Sequence, residues 1–127
     1  MHPLHFLPVA QDLEQAGLVW QPEVGDEVAP RHGAPAISIL VDPQGMGPLQ
    51  LRETYLWLPN LEQLVLQLEA RQAVLFHVGL ELSEARVCYK AIVQAGTDKF
   101  ESAADTPRSA VGIALRKLLL GDDLSVH

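Results

Sequence analysis

The side chains able to do chemistry are few, and their spacing decides what they can do. Cys88 is the only cysteine. With His77 on a neighbouring strand it would form a nucleophile and base pair, provided the thiol and the imidazole came within hydrogen-bond reach. A turn centred on Glu84 places Cys88 opposite Leu80, about three residues off register from His77. The plainer reading is preferred: Cys88 is a small buried hydrophobe and His77 a half-exposed sheet residue sharing a face with Leu75, Gly79 and Glu81. His2, His5 and His32 are metal-ligating types, with Asp26 or Glu27 as possible carboxylate partners. His2 and His5 lie on no predicted helix, so their spacing gives them no shared face, and terminal histidines are mobile. Gly25-Asp26-Glu27 and Asp42-Pro43-Gln44-Gly45-Met46-Gly47 carry glycines but no lysine, and they read as turns rather than phosphate cradles. No catalytic constellation, metal site or cofactor is expected.

Two clusters remain as candidates for binding. Asp26, Glu27, Arg31 and His32 fall in a long polar stretch, Gln21 to Pro35, which reads as a loop able to line a ligand cleft. Trp20, Trp57, Leu119 and Leu120 are the candidates for a protein interface. The run Leu118-Leu119-Leu120 cannot all face one core, and Leu66 is also surplus to its helix.

These residues must be positioned by elements of two textures. Residues 1–48 hold seven of the nine prolines. Fixed φ and missing N–H donors predict short elements there. Val9 to Gly17 reads as a helix, with Val9, Leu13 and Ala16 on one face and Gly17 as its stop. Strands are predicted from Leu18, over Ala36 to Val41, and over Leu49 to Leu56. From Pro59 the pattern is more regular. Asn60 and Gln63 suit a capping box, and Leu61, Leu64, Val65 and Leu68 follow at helical spacing to about residue 71. Three strands follow: Val74 to Leu82 at period two, Arg86 to Ala95, and Lys99 to Ala103. Thr106 and Pro107 then open a helix that Gly121 is expected to end.

The expected fold is therefore α+β. An antiparallel meander packs with helices as an α-β-β-β-α core over about residues 59–121, preceded by a Pro-rich part with a short helix and one or two extra strands. A chain of 127 residues fits one domain. Sixteen acids against nine bases give a formal charge of −7. That balance argues against nucleic-acid binding and against an anionic membrane surface. One cysteine fits a reducing, cytoplasmic setting. No apolar run reaches 18 residues, and the start of the chain lacks signal-peptide character.

Two resemblances follow the order helix, three strands, helix. Double-stranded RNA-binding domains share it, but their last helix opens with a lysine cluster on the phosphates. Here that stretch is Asp105-Thr106-Pro107-Arg108-Ser109-Ala110, with one base beside one acid. The second is carried by Phe100 to Ala110, followed by Ala114-Leu115, and by Trp57-Leu58-Pro59-Asn60-Leu61. Over about residues 55–121 these resemble small phage-associated α/β (ABA) sandwich proteins. The resemblance implies a fold and no catalytic residues. The leading expectation is a non-catalytic, self-associating protein-interaction module of phage or mobile-element origin. The alternative is a small-ligand binder or minor enzyme using the 21–35 loop.

Overall fold

The computed structural model describes residues 3–83 and 86–125, and the side chains of residues 5–82 and 86–121. Among the described residues it is α+β, with four α-helices and two three-stranded antiparallel sheets. The chain divides into two compact units, Met1–Pro59 and Asn60–His127. The division falls where the proline-rich texture ends.

In the first unit a short 3-10 turn leads into helix α1 (Leu7–Gln15), which buries Ala10 and Leu13. The helix begins two residues before Val9. It ends at Ala16, and Gly17 takes φ +107, the left-handed conformation that glycine adopts without a Cβ penalty. No strand forms at Leu18. Leu18 and Trp20 are instead buried in an irregular segment with Val19 exposed between them. The expected loop from Gln21 to Pro35 contains strand β1 (Glu27–Pro30), the central strand of the first sheet, with Val28 and Ala29 both buried. Strand β2 is only Ser38–Ile39, two residues of the six predicted. It pairs antiparallel with β1, Val28 opposite Ser38.

The predicted strand from Leu49 to Leu56 is mostly helix: α2 (Pro48–Thr54), then strand β3 (Tyr55–Trp57). The physical reason is at its start. Gly47 is extended and Pro48 takes the first helical position, where its missing N–H costs nothing. Leu51 alone is buried, while Leu49 faces solvent, so the alternation of two leucines was never a sheet face. β3 pairs with β1 on the side away from β2, Ala29 opposite Leu56.

The second unit is helix α3 (Leu61–Ala70), strands β4 (Ala73–Ser83), β5 (Arg86–Ala95) and β6 (Asp98–Ala104), and helix α4 (Pro107–Ser125). Asn60 caps α3: its carboxamide oxygen accepts from Gln63 N, and Gln63 Oε1 accepts from Asn60 N. Thr106 caps α4 by accepting from Ser109 N at 2.9 Å. The sheet order is β4-β5-β6. Leu64, Leu68, Ala73, Ala91, Val93, Ala110, Val111, Ala114 and Leu115 form the core between sheet and helices, each at most 1% exposed. Gly121 does not end α4, which continues to Ser125. A Cβ at Gly121 would lie 3.3 Å from the Phe100 ring, so this glycine serves close packing. Arg116 and Lys117 therefore sit inside the helix.

The β4–β5 ladder holds one irregularity. Leu75 pairs with Val93, and the next pair is His77 with Ile92. Phe76 is the extra residue of a β-bulge. From the bulge outward the pairing is shifted by one, so Cys88 faces Glu81 and not Leu80. The bulge also changes which residues share a face. Val78, Leu80 and Leu82 pair with Ala91, Tyr89 and Val87 and stand on the helix-bearing side. His77, Gly79 and Glu81 stand on the other side, without Leu75.

Candidate functional site

In the first unit the loop candidates go to different partners. Asp26 is 6% exposed, and its Oδ2 accepts from Trp20 Nε1 at 2.8 Å and from Glu23 N at 3.0 Å. Its backbone is tied as well: Leu40 N donates to Asp26 O at 2.8 Å. Asp26 thus closes the 23–26 turn and anchors the segment that leads into β1. Glu27 begins β1. Arg31 lies just past β1, where it forms a two-pronged ion pair with Glu14 of α1, 3.0 Å to Oε1 and 2.6 Å to Oε2. Its Nε donates to Arg52 O, and Arg52 Nε donates to Trp20 O. His32 is exposed.

Glu14, Leu18, Trp20, Arg31 and Arg52 line a groove of about 250 Å³. Its walls are mostly apolar, and the terminal nitrogens of Arg31 are taken by the Glu14 carboxylate on the same wall, so an anion there would rely on Arg52. Glu14 and Arg52 carry no signal in the sequence: Arg52 falls in the predicted strand from Leu49 to Leu56, and no local pattern marks Glu14. Trp57 is buried, and among the described residues its indole N–H has no acceptor.

In the second unit the sheet is longer than what covers it. β6 pairs β5 only from Tyr89 to Ala95. The outer part of the β4–β5 hairpin runs on beyond it as a two-stranded arm. On the helix-bearing side Leu80, opposite Tyr89 at the last rung that β6 shares, and Leu82 and Val87 on the arm are 64%, 72% and 59% exposed. They continue the row that is buried as Ala91 and Val93 further in. The length mismatch was visible in the sequence, since the third strand was predicted at about half the length of the first two.

The other side of the sheet carries a charged cluster on its three-stranded part. Lys90 meets Glu101 at 2.9 Å and Glu81 at 3.8 Å. The hydrogen bond and charge of Lys90 hold the Glu101 carboxyl below its ordinary range, and Glu101 in turn raises the Lys90 ammonium. Val74 and Phe76 are exposed there, and the Lys99 ammonium sits 5.5 Å from the Phe76 ring centre. The His77 imidazole lies over Gly79, where a Cβ would come within 2.9 Å of it.

Cys88 is half-buried on this same side. Four strand residues, about 13 Å, separate its partner Glu81 from His77. The structure does not bring the pair together. Of the histidines of metal-ligating type, His5 and His32 are exposed and His2 lies outside the described residues. Among the described residues no three His, Cys, Asp or Glu side chains cluster to hold a metal. No described helix is long and apolar enough to cross a membrane. Of the interface candidates, Trp20 and Trp57 are buried and Leu119 and Leu120 are half-buried on α4, while Leu66 on α3 is exposed. No family model, curated protein or solved structure matches this sequence.

Proposed function

We propose that the chain is a non-catalytic protein-interaction module that associates with a second copy of itself. The α-β-β-β-α part over about residues 59–121 is the associating body, and the Pro-rich part precedes it. One observation carries the reading: the row Leu80, Leu82 and Val87 continues the core face out onto an uncovered arm. Contiguous apolar side chains on a two-stranded arm are unstable in water unless something covers them. The phage-like helix start at Thr106-Pro107 supports a phage or mobile-element origin.

Native mass spectrometry and light scattering over a concentration series test the proposal. A dimer is expected for the natural chain, and the variant Leu80→Ser with Leu82→Ser is expected to run as a monomer. A natural chain that stays monomeric throughout overturns the reading.

A second reading rests on the groove beside Arg31 and Arg52. A small carboxylate or phosphate ligand there would raise the melting temperature of the natural chain and not that of Arg52→Gln. Absence of any such shift across simple carboxylates and inorganic phosphate removes it.

A further inference from the structure

The open edge of β4 is self-complementary, and we infer that two copies join there, β4 against β4, antiparallel, about a two-fold axis at Gly79. This deepens the self-association proposed above and rests on it.

β4 has β5 on one side and no described strand on the other. Beyond the bulge its edge runs from His77 to Ser83, seven residues with no proline and one charge, Glu81. Natural edges are normally blocked by lysine, proline or a covering element. Here the bulge interrupts only the inner end. An edge of this kind pairs with another strand of matching pattern, and the nearest such strand in solution is the same one in a second copy.

The side chains select the register. An antiparallel pair about a two-fold axis must keep paired residues on the same face. The axis must therefore pass through a residue position. At Glu81 it would set the two carboxylates against each other. At Val78 or Leu80 it would pair Glu81 with Leu75 or with Gly79. At Gly79 it pairs His77 with Glu81 of the other copy, twice, and Val78 with Leu80 of the other copy, twice. The first pairing brings opposite charge together whenever the imidazole is protonated, and a hydrogen bond when it is not. Glu81 has room for such a partner: its own Lys90 is 3.8 Å away and lies closer to Glu101. The second pairing extends the apolar row across both copies on the helix-bearing side. At the axis the two glycines meet with no side chain. The space over each is already taken by its own His77 ring. The product is one six-stranded sheet whose two central strands are the β4 of each copy.

The test uses full-length chain with Cys88→Ser, so that added cysteines are the only ones. A mixture of Val78→Cys and Leu80→Cys chains is expected to cross-link under mild oxidation, while each alone resists. Charge exchange is read separately by sedimentation. His77→Glu and Glu81→Lys are each expected to weaken association about tenfold, and the double variant to restore it to within about threefold. Cross-linking of Val78→Cys alone or Leu80→Cys alone places the axis elsewhere and overturns the register. A dimer that forms but ignores both the cysteine mixture and the charge exchange overturns the edge pairing while leaving self-association standing. A chain that is monomeric up to about 1 mM removes both.

Discussion

Replacing Trp20 and Trp57 by phenylalanine, one at a time, isolates the energy of a single buried hydrogen bond. Both substitutions trim the same ring from a buried site in the first unit, and the trimming costs about 1–3 kcal/mol in either place. They differ in what the indole N–H does. At Trp20 it donates 2.8 Å to a carboxylate that is itself buried, and losing a bond to a charged group adds about 1.5–3 kcal/mol. At Trp57 the N–H has no acceptor among the described residues, so removing it relieves a buried unsatisfied donor, worth about 1–3 kcal/mol in the other direction. Trp20→Phe should thus lose about 3 kcal/mol or more, and Trp57→Phe no more than about 2 kcal/mol. Urea unfolding followed by tryptophan fluorescence is the assay. The two tryptophans are the only ones in the chain and both lie in the first unit, so each variant keeps one reporter there and the second unit is silent. Unchanged m-values would certify that stability alone has moved. Equal losses in the two variants, or the larger loss at Trp57, would refute the assignment of Asp26 as a structural carboxylate held by Trp20.

Asn60→Ala removes one half of the capping box on α3 and should lower the stability of the second unit by about 1 kcal/mol, measured by circular dichroism on thermal unfolding. Gly121→Leu forces a side chain against Phe100 and should cost about 1–3 kcal/mol by the same measurement. Carbon-detected NMR titration should find the Glu101 carboxyl titrating below an ordinary glutamate, and Lys90→Gln should bring it back up. The sign of its linkage follows: a depressed carboxyl contributes stability above its unfolded pKa, and that contribution is lost as pH falls through the folded value. Lys90, being raised, contributes below its unfolded pKa and loses the contribution as pH rises through its folded value. Both groups are exposed, so the effect should appear in chemical shifts and barely in melting temperature.

What was legible in the sequence was local chemistry with one strong signal per position. Asn60 with Gln63, Thr106 with Pro107, and Gly17 each announce a helix boundary, and each does in the structure what its side chain or backbone freedom allows. The antiparallel order of β4, β5 and β6 followed from hairpin-length turns. The first unit was harder because its elements are too short to show a period. Glu27–Pro30 has one β-branched residue in four, yet it is the central strand, held there by partners far along the chain at Ser38 and Leu56. Pro48–Thr54 offered two alternating leucines, and the Gly47-Pro48 start outweighed them. Of the candidate site, Asp26 and Arg31 were visible as residues but not in their roles. Their partners Trp20, Glu14 and Arg52 lie 6, 17 and 21 positions away. No spacing rule connects them. Gly121 resembled a helix stop because glycine signals both a turn and a close contact, and only the Phe100 ring distinguishes the two.

The bulge at Phe76 has an effect on how this surface can change. Deleting that one residue would leave Leu75 opposite Val93 and His77 opposite Ile92, so every side chain beyond it would keep its face and its cross-strand neighbour. Only the bend and added twist would go. The direction in which the arm points is therefore adjustable independently of the residues it displays. A single codon gained or lost at this site would re-aim the hairpin, and with it the angle of the proposed β4–β4 contact, without altering the side chains that contact would use.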